Sequence, residues 1–198
     1  MYITIKTVMK KNSKNFFLLV ILGFLSIACN SDDDDYIDVP IAFEKPSNFP
    51  EIMYDLNGYP LSKAGVELGK KLFYESRLSS DGIISCGFCH IQNDAFTHHG
   101  HTFSHGVGEN IGTRNAPPVQ NMAFQNNFMW DGATDDLNAL SLIPISSPIE
   151  MNGNLNTIVA MLNSDAQYKS MFARAFPNKP IDTEHMLKAL GQFLVTMV

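Results

Sequence analysis

Cysteine is scarce here: of three in 198 residues, Cys29 stands alone and Cys86 and Cys89 sit three apart. That leaves no pair for a stapled scaffold of the kind small secreted domains use. Basic residues are also few, with 14 Lys and Arg against 20 Asp and Glu and a formal charge of −6. A chain this acidic is a poor ligand for a phosphate backbone, so no nucleic-acid partner is expected. No apolar run reaches the ~20 residues that a membrane-spanning helix needs. Internal repeats and alternating strand patterns are missing too, and the fold class expected is all-α.

The first residues stand apart from the rest. Lys6, Lys10, Lys11 and Lys14 precede the apolar run FFLLVILGFLSIA at 16–28, a basic n-region followed by a short h-region. Residues 1–28 therefore read as an export signal. Leu25-Ser26-Ile27-Ala28 before Cys29 resembles a lipobox, which makes Cys29 the lipid anchor of a mature protein held at the outer membrane, on its periplasmic or cell-surface face. An ordinary signal peptide with an incidental cysteine, or a retained anchor, is the alternative. Removing 1–28 takes away four lysines and no acids, so the formal charge falls by four from −6 to −10. Asn30-Ser31 and the run Asp32 to Asp35 are too polar and self-repelling to fold, and 29–45 reads as an acidic disordered tether.

Residues 46–198 are read as the folded domain. Pro40, Pro46, Pro50 and Pro60 make 36–60 an extended lead-in that hugs it. Ser62 is a plausible N-cap for a helix ending near Glu75, with Val66, Gly69, Leu72 and Phe73 on one face. A glycine-punctuated irregular region follows His90, and its length suggests a segment that wraps something. Helical spacing returns over 156–163 and 165–176. A last helix, capped by Asp182 or Thr183, carries Met186, Leu187, Leu190, Phe193, Leu194 and Met197 on one stripe.

Cys86-Gly87-Phe88-Cys89-His90 is the chemical centre of the sequence. Two thiols three positions apart followed at once by histidine suit covalent haem: each thiol adds to a vinyl group and the histidine binds iron. Cys86 and Cys89 then carry the thioethers and His90 is the proximal ligand. A thioredoxin-like redox pair would need a β-α-β context, and zinc would need two more ligands from His98, His99, His101 and His105. Iron's sixth position falls to His105, to Met122, Met129 or Met151, to a group outside the chain, or to none.

Beyond this motif, LGKKLFYESRLSSDGIISCGFCH from Leu68, AFT from Ala95, GVGENIGTRNAPPVQNMAFQNNFMWDG from Gly106 and PISSPIEM from Pro144 occur in that order. Together they resemble the N-terminal haem domain of the bacterial dihaem cytochrome c peroxidases and their MauG-like relatives. The resemblance implies a cytochrome c-like helical domain with long loops around one haem c. It also implies reduction of hydrogen peroxide to water, with electrons from a small cytochrome or cupredoxin passing through a second haem domain. MauG-like relatives oxidise protein side chains instead. The second haem domain is expected to be absent from this chain, and a second copy of the chain is an expected partner.

The same resemblance assigns roles residue by residue. Asn115, in RNAP, corresponds to a calcium ligand; otherwise it is a loop asparagine capping a turn. Trp130, in WDG, corresponds to a tryptophan bridging the two haems; otherwise it is a core anchor. Glu150, in PIEM, corresponds to the distal acid that moves a proton between peroxide oxygens; otherwise it is an exposed glutamate. Two positions depart from the pattern: Ala133 stands where relatives have arginine, and Leu140 where they have glutamine. A mono-haem electron carrier without peroxidase turnover, or an inactive fragment, is the competing expectation.

Overall fold

The computed structural model describes residues 38–198. Cys29 and the export signal lie outside the described residues, as does most of the acidic tether.

Helix α1, Lys63–Phe73, starts where Ser62 turns its hydroxyl back to accept a hydrogen bond from the Gly65 amide at 3.0 Å. Lys70 and Lys71 lie in its last turn, where cations complement exposed carbonyls. Its buried face carries Leu68, Leu72 and Phe73. The helix ends two residues earlier than expected, because the Glu75 carboxylate caps the next 3-10 turn, Ser76–Leu78, through the Arg77 amide.

Three helices complete the body, and Asn or Asp side chains cap each of them. Asn154 accepts from Thr157 at the start of Leu155–Ser164 (α5), and Asp165 from Gln167 and Tyr168 at the start of Ala166–Ala175 (α6). Asp182 accepts from His185 at the start of Thr183–Val195 (α7), which is buried almost all round from Met186 onward.

The main packing seam is α1 against α7. Gly69 sets its closeness: a Cβ there would collide with the Ala189 carbonyl and stand 2.8 Å from Phe193 Cβ. Tyr168 and Phe172 of α6 fill the space beside α1, both essentially without exposure.

Residues 38–60 lie against this body as a strap. Ile41 N–H donates to Leu61 O at 3.0 Å, Lys63 N–H to Val39 O at 2.8 Å, and Met53 and Tyr54 N–H both to Ala123 O. Phe43 and Phe49 pack on Phe124 with centroids 5.8 and 5.0 Å away. Residues 38–45, the end of the acidic tether, pair with the start of α1, as the lead-in at 36–60 is expected to do; Asp38 itself accepts from the Ala64 amide. Backbone pairing holds them there, since Val39 and Ile41 stay exposed.

The wrapping region after His90 contains 3-10 turns at Gln92–Asp94, Val107–Glu109 and Met122–Phe124. Two short helices, Leu137–Leu140 (α3) and Leu142–Ser146 (α4), went unpredicted, since four or five residues are too few to display a 3.6-residue period. Among the described residues the only β-type pairings are isolated bridges, so the fold is all-α.

Candidate functional site

The Cys86–Cys89 helix (α2) is a single turn, closed by His90 N–H donating to Cys86 O at 2.9 Å. It puts Cys86, Cys89 and His90 on one wall of a cavity of about 290 Å³. Phe73, Ile84, Val119, Leu140 and Leu194 supply much of the apolar remainder.

His90 is oriented from behind. Its Nδ1 stands 3.1 Å from the Phe96 carbonyl. A carbonyl only accepts, so Nδ1 carries the proton and Nε2 keeps its lone pair. Burial lowers the His90 pKa, hydrogen bonding to backbone carbonyls partly offsetting it, and this favours the neutral imidazole that ligates metal.

The Phe96 carbonyl is aimed by a tight turn. Ile91 N–H donates to Thr97 O at 2.8 Å and Phe96 N–H to Ile91 O at 2.9 Å. Closing it forces Ala95 and Phe96, at φ 56° and 54°, into the left-handed region that side chains rarely adopt.

Both thiols are partly buried. Desolvation pushes Cys86 up to about 12 and raises Cys89, a hydrogen bond with Ser104 opposing the latter shift. Neutral thiols are the opposite of the low-pKa thiolates that redox chemistry uses.

The loop at 104–112, which meets Cys89 with His105 O 3.7 Å from its Sγ, and the turn at 144–151 also line the cavity. Gly106 makes their contact: a Cβ there would collide with the Ile149 carbonyl and lie 2.6 Å from Glu150 O. Val107 N–H donates to that Glu150 carbonyl at 2.8 Å. Glu150 is thereby held half-buried on the cavity wall, and its carboxylate adds to the upward push on Cys89. His105, Met122, Met129 and Met151 also line the cavity, so every candidate for the sixth iron position borders it.

Trp130 lies at the rim, 62% exposed, and its Nε1 donates to the Asn115 carbonyl at 2.7 Å. Beside it Arg114 and Asp131 pair at 2.7 Å. The Asn115 side chain is engaged inside its loop: Nδ2 donates to Thr102 O at 3.1 Å and Oδ1 faces the Thr97 hydroxyl at 3.4 Å.

His98, His99 and His101 stay off the cavity wall. The rings of His98 and His101 approach to 4.3 Å and those of His101 and His105 to 4.7 Å, while His99 Nδ1 meets Asp94 at 2.9 Å. Among the described residues no group of three or more His, Cys, Asp or Glu is arranged to hold a metal ion, so the zinc alternative finds no constellation.

Leu140 is 8% exposed and faces the cavity, whereas Ala133 is exposed. Sequence reasoning missed the carbonyl of Phe96, because a main-chain acceptor leaves no trace in residue type. The AFT stretch was the nearest signal.

The cavity fits a covalently held haem: two thiols and a histidine whose Nε2 keeps its lone pair lie together in a largely apolar space. Fold and site define the class as a cytochrome c-like helical haem domain. Residues 63–198 match the di-haem cytochrome c peroxidase family, and the chain belongs to it. It is 33% identical over 177 residues to the methylamine utilization protein MauG of Methylorubrum extorquens, covering 89% of this chain and 49% of that protein. It is 35% identical over 163 residues to the cytochrome c551 peroxidase of Pseudomonas aeruginosa, covering 81% of this chain and 46% of that one. A crystal structure of a MauG-like protein associated with microbial copper homeostasis superposes with a TM-score of 0.72 at 32% identity, over 79% of this chain and 47% of that one. The chain thus spans about half the length of the relatives it matches.

Proposed function

We propose that this domain holds one haem c and reduces hydrogen peroxide to water, drawing electrons from a small cytochrome or cupredoxin. The observation that carries the reading is the convergence of Cys86, Cys89, His90 and Glu150 on one apolar cavity.

Cys86 and Cys89 would hold the haem through thioethers and His90 Nε2 would ligate its iron; bound there, the haem supplies the electron-transfer chemistry that peroxide reduction requires. Converting one peroxide to two waters consumes two electrons and two protons. Glu150 is the side chain placed to handle a proton, taking it at a carboxylate oxygen from one peroxide oxygen and returning it to the other. Phe73, Ile84 and Leu140 exclude water, so the charge that moves is stabilised by the protein's own groups. Trp130, half in solvent at the rim, offers an indole through which electrons can enter.

Export and anchoring through Cys29 belong to the same proposal, carried by the sequence of residues 1–29. So does the acid tether that would hold the domain off the membrane surface.

The test is Glu150→Gln in the haem-loaded protein, assayed by stopped-flow mixing with peroxide. The reading expects unchanged haem content and a rate lower by about 10²–10⁴-fold. An unchanged rate, or a wild-type protein inert to peroxide, would favour a carrier that only passes electrons.

A further inference from the structure

We infer that Thr97 is a positioning residue for the haem ligand, its hydroxyl locking the turn whose carbonyl holds His90 onto the chain segment that follows Arg114. The inference rests on the haem reading above and goes beyond it, since Thr97 lies outside the cavity lining.

His90 Nδ1 is held by Phe96 O, in the turn at 91–97. A second segment, Asn115-Ala116-Pro117, lines the same cavity as His90. Thr97 and Ala116 are 19 positions apart in sequence, so something must fix one segment against the other. The Thr97 hydroxyl reaches across: it donates to the Ala116 carbonyl and also faces Asn115 Oδ1 at 3.4 Å. A hydroxyl has one proton, and the closer Ala116 oxygen takes it.

Two further contacts show that the crossing is built. Val119 N–H donates to Phe96 O at 3.3 Å, so that carbonyl serves both His90 and the second segment. Asn115 is pinned in turn, its side chain to Thr102 O and its carbonyl to Trp130 Nε1. The turn itself is under strain, with Ala95 and Phe96 both at positive φ, and such a turn relaxes unless its surroundings hold it. Ala116 is buried, so water does not readily replace a lost hydroxyl.

The consequence falls on the ligand's electronic character. An Nδ1–H held to a carbonyl makes Nε2 a stronger donor, which favours ferric over ferrous iron and lowers the reduction potential. Loosening the clamp weakens that donation.

Thr97→Val keeps shape and removes the hydroxyl, and Thr97→Ser keeps the hydroxyl and removes a methyl. Each is compared with wild-type holoprotein for covalent haem content, reduction potential and the ferrous iron–histidine stretching frequency by resonance Raman. The expected result is normal haem content throughout, a higher potential and a lower stretching frequency for Thr97→Val, and wild-type values for Thr97→Ser. Wild-type values for Thr97→Val would overturn the inference. So would a serine variant shifted like the valine one, since packing rather than the hydroxyl would then be responsible. If Thr97→Val yields no holoprotein, the serine variant decides: wild-type values support the clamp and shifted ones overturn it. A wild-type protein without covalent haem would instead sink the haem reading itself.

Discussion

The indole Nε1 of Trp130 donates to the main-chain carbonyl of Asn115 at 2.7 Å, joining the WDG turn to the Asn115-Ala116-Pro117 segment that lines the His90 cavity. With the ring 62% exposed, this is a link at the rim and not a core anchor. Trp130→Phe keeps the ring and deletes the donor. The expected effect is a loss of about 0.5–1.5 kcal/mol in urea unfolding, since water can partly replace the indole. Covalent haem content should not change.

Gly106 allows the 104–112 loop to sit directly on Ile149 and Glu150, where backbone and not a flexible side chain blocks any added methyl. Gly106→Ala should destabilise the fold by about 1–3 kcal/mol, the usual range for overpacking. It should also slow the reaction with peroxide by displacing Glu150. Denaturant unfolding and stopped-flow kinetics on the same preparation check both.

Glu75 joins the end of α1 to α6, meeting Arg77 at 2.6 Å and accepting from the buried Tyr168 hydroxyl at 2.8 Å. The hydrogen bond from Arg77 is the main cause that holds its carboxyl near about 2 instead of the usual 4.5. A folded-state value below the unfolded one stabilises fully above the unfolded value and is lost as pH falls through the folded one. Glu75→Gln should therefore lower Tm at neutral pH, with the difference closing as pH falls from 4.5 to about 2. A Tm gap independent of pH over that window would contradict the assignment.

Leu140 presents an apolar side chain to the cavity where the resemblance leads one to expect glutamine. Leu140→Gln would supply a hydrogen-bonding group near Glu150. It should speed peroxide reduction while lowering stability by about 1–3 kcal/mol through burial of an imperfectly paired amide. Comparing turnover with unfolding free energy separates the two effects.

The main helices were legible because their signals are local. Ser62, Asp165 and Asp182 cap the helices they were expected to open or to flank, and the stripe from Met186 to Leu194 is buried as its spacing implied. Cys86, Cys89 and His90 stood out by residue type and order, Glu150 only through the resemblance, and all four line one cavity. The support behind them was not legible. The acceptor of His90 is a carbonyl, the turn that aims it uses left-handed Ala95 and Phe96, and no propensity points to that. The lead-in at 36–60 was legible as extended from its prolines, but its pairing partners at Leu61 and Lys63 depend on the fold.

The central claim is that the CGFCH cavity is the seat of a covalent haem, and a pyridine haemochrome spectrum tests it most directly. The protein should be produced with a cytochrome c maturation system and denatured in acid acetone before measurement. The expected result is one c-type haem per domain that stays with the polypeptide, and its loss when Cys86 and Cys89 are both changed to alanine. Haem that extracts freely from the wild-type protein, or no haem at all, would contradict it.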